Sequence, residues 1–228
     1  FGVELDEQQS ERVVHEMLDR GVNFIDTAES YGSKRYSEEY LGRILQGKRE
    51  AIYLTTKVHN KWASNGKAER LSRENIITSL ERSLELLQTD YLDLYQLHHP
   101  DPNVPLEETL ATLDRLMDQG KILHVGVCNH YAWQVADTMR TAQRHGWEPA
   151  VSMQYRHNIL DRPAEIETVP FVKRFGLATM IYGPLCGGVL SGKYQRDQQP
   201  PEDSRGAKNL KVKNTLQEDR VYDILDEL

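Results

Sequence analysis

The chain has 228 residues, 39% of them hydrophobic and 28% charged, which is ordinary for a soluble globular protein and enough to bury a full core. A formal net charge of −7 and the lack of any apolar run of transmembrane length predict neither a nucleic-acid partner nor a membrane partner. The two cysteines, Cys128 and Cys186, are too few for a disulfide framework and favour a reducing, cytoplasmic setting.

Helical and extended patterns alternate along the chain. Apolar spacing predicts helices over residues 10–20, 37–47, 72–87, 106–119, 133–144, 167–175 and 215–228, several of them stopped by glycine. Short apolar runs predict strands over residues 22–26, 51–57, 91–98, 122–129, 151–154 and 177–182. Strands joined to helices by such short connections predict an α/β fold with a parallel sheet.

The six predicted strands, two fewer than in a complete (β/α)8 barrel, limit the possible folds. A complete (β/α)8 TIM barrel takes about 250 residues. We therefore expect residues 1–228 to form a single barrel domain that lacks its first and last strands. An open doubly wound sheet is the alternative, although no glycine-rich dinucleotide-binding turn follows any predicted strand.

One stretch, residues 23–32, places two reactive side chains close together. Asp26 ends an apolar strand, and Tyr31 follows five residues later on a turn-forming segment that finishes with Gly32. In a barrel of parallel strands the loops after the strands build the active-site face. Taken alone, Asp26 is equally well explained as a helix cap and Tyr31 as a surface residue.

The other predicted strands also end in polar or aromatic side chains. These strand ends are Lys57, His98, Asn129, Gln154 and Tyr182. Each has an ordinary structural explanation; Asn129, for example, could cap the next helix. Their joint occurrence at one end of successive parallel strands favours a site.

The chemistry that these groups suit is proton transfer by a phenol. A free phenol ionises only near about pH 10, but an ammonium such as Lys57 stabilises the phenolate, and Asp26 would hold that ammonium charged and oriented. A neutral His98 could orient a carbonyl oxygen while Tyr31 delivers the proton. No side chain supplies a hydride, so a cofactor must. No metal site is predicted.

Several segments resemble the aldo-keto reductases, nicotinamide-dependent enzymes built on a (β/α)8 barrel. The matching segments are residues 26–32 (DTAESYG), 56–57 (TK), 93–101 (DLYQLHHPD), 120–122 (GKI) running to 126–129 (GVCN), and 182–185 (YGPL) running to 191–194 (SGKY). They cover nearly the whole chain in the family's order.

The resemblance implies a role for each matching residue. The catalytic tetrad would be Asp26, Tyr31, Lys57 and His98, with Tyr31 as general acid. The nicotinamide carboxamide would be held by Asn129 and Gln154 beside Cys128, where the family usually has serine, and Tyr182 would stack on the ring. The cofactor phosphates would meet Gly183, Pro184, Leu185, Cys186, Lys193 and Arg205, since lysine and arginine suit anions.

The resemblance leaves the cofactor and the substrate less defined. NADP is the family's usual cofactor and NAD is not excluded, because the segment that recognises the 2′-phosphate follows the last barrel strand and is absent from this sequence. The substrate would be a small carbonyl compound. Residues 60–70 with Trp62, and the region of Tyr131 and Trp133, are candidates to line its pocket; Trp133 could equally just pack its helix.

Two other functions are compatible with these residues. The segment 100–109 and the loop after Lys193 resemble the branch that contains β-subunits of voltage-gated potassium channels and related bacterial reductases. This resemblance implies a cofactor-binding regulatory subunit as the alternative function. His98 favours an enzyme, since those subunits carry asparagine there. Lys57 could also be a Schiff-base nucleophile, but the neighbouring Asp26 would stabilise its protonated form and counts against this.

Overall fold

The computed structural model describes residues 1–32, 35–58 and 70–227. The chain divides into two compact units. The first consists of Phe1–Met153 with Gly176–Ala178, and the second of Gln154–Phe175 with Thr179–Leu228. The predicted single-domain organisation stays a prediction. Of the predicted loop over residues 60–70, residues 60–69 with Trp62 lie outside the described residues.

The strands form one sheet whose order is the order of the chain. They are β1 (Phe24–Asp26), β2 (Tyr53–Val58), β3 (Leu92–Leu97), β4 (Ile122–Cys128), β5 (Ser152–Arg156) and β6 (Ala178–Tyr182). The pairs β1–β2, β2–β3 and β3–β4 are parallel. Parallel strands paired in chain order and connected by helices are the arrangement of part of a (β/α)8 barrel, which confirms the predicted fold class.

Helices connect the strands and follow the last of them. They are α1 (Glu7–Asp19), α2 (Tyr36–Ile44), α3 (Arg73–Leu87), α4 (Leu106–Asp118), α5 (Ala132–His145), α6 (Thr168–Phe175), α7 (Arg205–Lys208), α8 (Leu210–Thr215) and α9 (Asp219–Leu225). In the part of the chain that the structure describes, no helix is both long and apolar enough to cross a membrane.

Local capping and close packing fix several helix positions. Helix α1 begins three residues before the predicted start because Asp6 and Gln9 form a capping box. Ser72 accepts from the Asn75 amide and caps α3, as the sequence predicts. Gly42 lets α2 approach α3 closely, since a Cβ there would lie 2.0 Å from the Leu86 carbonyl oxygen.

The sheet register brings polar side chains together in the first unit. Lys57 on β2 pairs with Gln96 on β3, and Gln96 pairs with Gly126 on β4. A Cβ at Gly126 would lie 2.5 Å from the Ser152 Oγ and 3.2 Å from the Gln96 Cγ, so only glycine leaves room for these side chains. Lys57 and Gln96 are fully buried, which makes this part of the sheet interior polar.

Two predicted boundaries in the second unit are wrong. Strand β5 continues past Gln154 to Arg156. The predicted single helix over residues 215–228 is instead the end of α8 followed by α9, with a break at Leu216–Glu218. This break lets both helices bury apolar residues in one cluster, whose members are Cys186, Val189, Tyr194, Val212, Leu216 and Val221.

Candidate active site

Lys57 is the centre of the candidate site in the first unit. Its ammonium donates to the Asp26 Oδ2 at 2.7 Å, to the Thr27 carbonyl oxygen at 2.8 Å and to the Tyr31 Oη at 3.2 Å. The side chain is 0% exposed, so its charge depends on these partners. Three of the four predicted catalytic residues therefore meet at one nitrogen atom.

Asp26 is held from two sides at the end of β1. The Lys57 ammonium contacts its Oδ2, and the Gln96 Nε2 donates to its Oδ1 at 3.1 Å. Gln96 also donates to the Thr55 Oγ1 at 3.0 Å, which fixes the orientation of its amide. Because 30% of the Asp26 side chain is exposed, the Asp26–Lys57 ion pair joins a buried cation to a partly solvated carboxylate.

Gln96 was not predicted from the sequence. It lies two residues before His98, and alternation along a strand puts those two residues on the same face. That spacing was the available signal. The role of the Thr27 carbonyl oxygen could not be predicted from the sequence, because every residue type has a main-chain carbonyl oxygen.

Tyr31 and His98 meet at their rings. Their ring centroids are 5.9 Å apart in an edge-to-face arrangement, and the Lys57 ammonium lies 4.6 Å from the centroid of the Tyr31 ring. The Tyr31 amide donates to the Ala28 carbonyl oxygen at 3.0 Å, which shapes the turn that carries the phenol. The structure thus brings all four predicted catalytic residues together.

Asn129 and Cys128 lie beside this cluster at the end of β4. Asn129 has φ = 57°, a left-handed conformation that asparagine tolerates better than most residues. Its Nδ2 lies 3.0 Å from the His98 carbonyl oxygen, 3.2 Å from the Cys128 Sγ and 3.4 Å from the His99 Nε2. Burial raises the pKa of Cys128 to about 12, so this thiol stays protonated.

The remaining predicted cofactor residues belong to the second unit. Gln154 is buried, with its Nε2 3.8 Å from the Met180 Sδ, and Tyr182 at the end of β6 is 37% exposed. An open groove of about 480 Å³ is lined by Gly183, Pro184, Leu185, Gly187, Gly188, Lys193, Asp203, Ser204 and Arg205. Cys186 is buried in the apolar cluster, and its amide donates to the Gly183 carbonyl oxygen at 2.9 Å.

The two aromatic residues suggested for the substrate pocket both belong to the first unit. Tyr131 immediately precedes α5, and its side chain is largely exposed. Trp133, in the first turn of α5, lines a cavity of about 240 Å³ whose wall includes Leu97, Pro100 and His130. Its side chain is 64% exposed, and both alternatives for Trp133, lining a substrate pocket or packing its helix, stay predictions.

The arrangement defines a class of protein. A phenol, an ammonium, a carboxylate and an imidazole converge at the ends of parallel strands, and residues 1–227 match the family model described as "Aldo/keto reductase family". The chain belongs to the aldo/keto reductase family. The family assignment confirms the resemblance found from the sequence and supports an oxidoreductase.

Individual relatives agree with this assignment. Aldo-keto reductase YhdN of Bacillus subtilis is 39% identical over 82% of this chain and 55% of its own length. Aflatoxin B1 aldehyde reductase member 2 of Homo sapiens is 35% identical over 87% of this chain and 55% of its own length. A probable voltage-gated potassium channel subunit beta of Oryza sativa is 31% identical over 92% of this chain and 65% of its own length. The chain thus spans only about half the length of some of these relatives.

We expect the stability of the protein to fall at acidic pH because of His130. Burial lowers the pKa of His130 to about 4 from an ordinary value of 6.5, although its Nδ1 lies 2.8 Å from the Cys128 carbonyl oxygen. The unfolded chain therefore takes up the proton first as the pH falls below 6.5, and the folded state loses stability until about pH 4. The loss between pH 7 and pH 5 should be about 2 kcal/mol.

Urea unfolding at several pH values measures this effect. His99 has a lowered pKa as well and contributes in the same direction, so the informative comparison is between wild type and His130→Asn. The variant should show a shallower pH dependence over this range. Equal slopes in the two proteins would contradict the assignment to His130.

Proposed function

We propose that the protein reduces an aldehyde or ketone to an alcohol with hydride from NADPH, and that Tyr31 is the general acid. The observation that carries the proposal is the Lys57 ammonium that bridges the Asp26 carboxylate and the Tyr31 phenol. This contact stabilises the phenolate that remains when Tyr31 gives up its proton. If Tyr31 were only a surface residue, or if Asp26 and Lys57 were only a structural ion pair, there would be no need for a contact between the ammonium and the phenol.

The groove of the second unit fits the phosphates of a dinucleotide. Lys193 and Arg205 supply positive charge, and Gly183 and Gly188 have φ values of +69° and +99° that favour glycine. A Cβ at Gly188 would lie 3.2 Å from the Lys193 Nζ and crowd the cation in the groove. We assign Gly183, Pro184, Leu185, Cys186, Lys193 and Arg205 to the phosphates, Cys128, Asn129 and Gln154 to the carboxamide, and Tyr182 to the nicotinamide ring.

The side chains divide the proton chemistry among them. A bound nicotinamide would supply the hydride to the carbonyl carbon of the substrate. Tyr31 passes the proton of its Oη to the carbonyl oxygen, and the Lys57 ammonium, oriented by Asp26, stabilises the phenolate left behind. His98, whose ring contacts the Tyr31 ring, orients the carbonyl oxygen toward the phenol.

The proposal includes a small carbonyl substrate and a cytoplasmic setting. Names such as aflatoxin B1 aldehyde reductase, carried by relatives, support aldehydes as the substrate class. Cys128 and Cys186 are not joined in a disulfide, which supports a reducing compartment. NADP is proposed as the cofactor from the usual preference of the family, and the same site chemistry would serve NAD.

Titration of the protein with NADPH, and separately with NADH, tests this proposal. Binding is followed by quenching of tryptophan fluorescence, and a panel of aldehydes and ketones is then added while loss of cofactor absorbance is recorded. Binding with turnover is the expected result, and the two titrations rank the cofactors. If neither cofactor binds, the proposed function is wrong.

The second candidate function is a cofactor-binding regulatory subunit. The observation in its favour is the 31% identity to a probable voltage-gated potassium channel subunit beta. In the same experiment it predicts binding of NADPH without turnover of any carbonyl compound. The complete set of Asp26, Tyr31, Lys57 and His98 favours the enzyme.

A further inference from the structure

The orientation of the Asn129 amide follows from its neighbours. The His98 carbonyl oxygen lies 3.0 Å from the Asn129 Nδ2, and a carbonyl oxygen can only accept a hydrogen bond. The amide nitrogen, and not its oxygen, must therefore face His98. This leaves one further N–H on the Nδ2, near the His99 Nε2 at 3.4 Å and the weakly accepting Cys128 Sγ at 3.2 Å.

The contact between the Asn129 Nδ2 and the His99 Nε2 bears on the protonation state of the His99 ring. Because the Asn129 Nδ2 is a donor, the His99 Nε2 can receive it only through its lone pair. A hydrogen bond between these two atoms therefore requires a neutral His99 with its proton on Nδ1. The His99 ring stacks on the His98 ring at 5.1 Å with an angle of 28°, which holds its edge toward Asn129.

We propose that His99 is a positioning residue for the cofactor: as a neutral acceptor it fixes the Asn129 amide so that the Asn129 Oδ1 is turned toward the carboxamide of a bound nicotinamide. The inference rests on the proposed function, in which Asn129 binds that carboxamide. Protonated His99 would instead point an N–H at the Asn129 amide nitrogen. Two donors would then face each other, and the amide would be held only by the His98 carbonyl oxygen and the weakly accepting Cys128 Sγ, so its orientation would be fixed less firmly.

The surroundings of His99 keep it neutral near pH 7. Burial and the positive charge of Arg70 lower its pKa below 6.5. Among the described residues, the other titratable groups near it include His98, stacked on its ring, His130, which follows β4, and the protonated Cys128 thiol beside Asn129. Acidification should therefore weaken cofactor binding by protonating His99 at a pH below 6.5.

Two substitutions of His99 distinguish its role as a hydrogen-bond acceptor from the packing of its ring. His99→Phe keeps a ring that can stack on His98 but has no acceptor. His99→Gln offers an amide oxygen that accepts but does not titrate. At pH 8 we expect NADP⁺, measured by calorimetry, to bind His99→Phe about 3- to 10-fold more weakly than wild type, and His99→Gln within about 2-fold. In an Asn129→Ala background, His99→Phe should have no further effect.

The pH dependence provides a readout that a purely structural role would not change. As the pH falls from 8 into the range below 6.5 where His99 takes up a proton, wild type should lose about 3- to 10-fold in NADP⁺ affinity relative to His99→Gln, while the ratio of His99→Phe to His99→Gln stays constant. Titration of the NADP⁺ phosphates is common to all variants and cancels in these ratios. Urea unfolding midpoints of the variants check that they are folded.

Different failures have different meanings. Equal affinity of wild type and His99→Phe at pH 8, or a pH-independent ratio of wild type to His99→Gln, would overturn the role of His99 and leave the proposed function standing. If wild type bound no nicotinamide cofactor at any pH, the proposed function would be wrong and this inference with it.

Discussion

Replacing Tyr31 by phenylalanine is expected to lower kcat for carbonyl reduction by about 10²- to 10⁴-fold, the usual contribution of a general acid. The substitution removes only the Oη atom, which contacts the Lys57 ammonium at 3.2 Å. A phenylalanine ring can keep the edge-to-face contact with His98 and the position beside the ammonium. NADPH affinity should therefore stay close to that of wild type.

A matched control removes a phenol elsewhere in the same unit. Tyr53 begins β2 and is largely exposed, and Tyr53→Phe makes the same chemical change away from the catalytic cluster. Steady-state kinetics and a fluorescence titration with NADPH are run on both variants. Turnover of Tyr31→Phe within about 3-fold of wild type would remove Tyr31 from the role of general acid.

The proximity of the proposed catalytic residues could be predicted from the sequence because it follows from the topology of the sheet. Parallel strands in chain order bring their carboxyl ends to one face, so Asp26, Lys57 and His98 had to lie near one another once the strands were found. In the structure Lys57 contacts Asp26 and Tyr31, and the Tyr31 ring contacts the His98 ring, so these residues do lie near one another while their catalytic roles stay a prediction. Side-chain chemistry suggested the roles of Asp26, Tyr31, Lys57 and His98, and the family resemblance added the roles of the cofactor-binding residues.

Interactions between distant segments were much harder to predict. Arg35, in a left-handed conformation, contacts the buried Glu38 at 2.7 Å, and Glu38 accepts from the Thr56 Oγ1 at 2.8 Å. Glutamate side chains are seldom fully buried unless they are paired, so nothing in the residue type indicates that Glu38 is buried. Only the packing of α2 against the rest of the first unit explains it.

Element boundaries depended on capping and on tertiary packing. Asp6 extended α1 through a capping box that apolar periodicity cannot show. In the second unit, Asn209 caps α8, and this helix ends at Thr215 so that Leu216 and Val221 reach the same apolar cluster. Helical periodicity of the apolar residues predicts one long helix there, because it considers the segment alone and not the apolar cluster against which the segment packs.

Replacing Lys57 by methionine should impair both catalysis and stability. Methionine keeps most of the apolar stem but removes the ammonium that Asp26, the Thr27 carbonyl oxygen and Tyr31 share. We expect kcat to fall by about 10²- to 10³-fold, since a preorganised charge that stabilises the reacting phenolate is lost. The free energy of unfolding should fall by about 2–3 kcal/mol, less than for a fully buried pair because Asp26 is partly solvated.

A second substitution distinguishes the effect of Lys57→Met on turnover from its effect on stability. In an Asp26→Asn/Lys57→Met double variant, the asparagine side chain has the shape of aspartate without its charge, so the uncompensated carboxylate of the single variant disappears. About 1 kcal/mol or more of stability should return, measured by urea unfolding, while kcat stays as low as in Lys57→Met. Recovery of turnover in the double variant would show that the Lys57 charge serves only to neutralise Asp26. Persistent inactivity in a restabilised protein assigns that charge to the proton transfer at Tyr31.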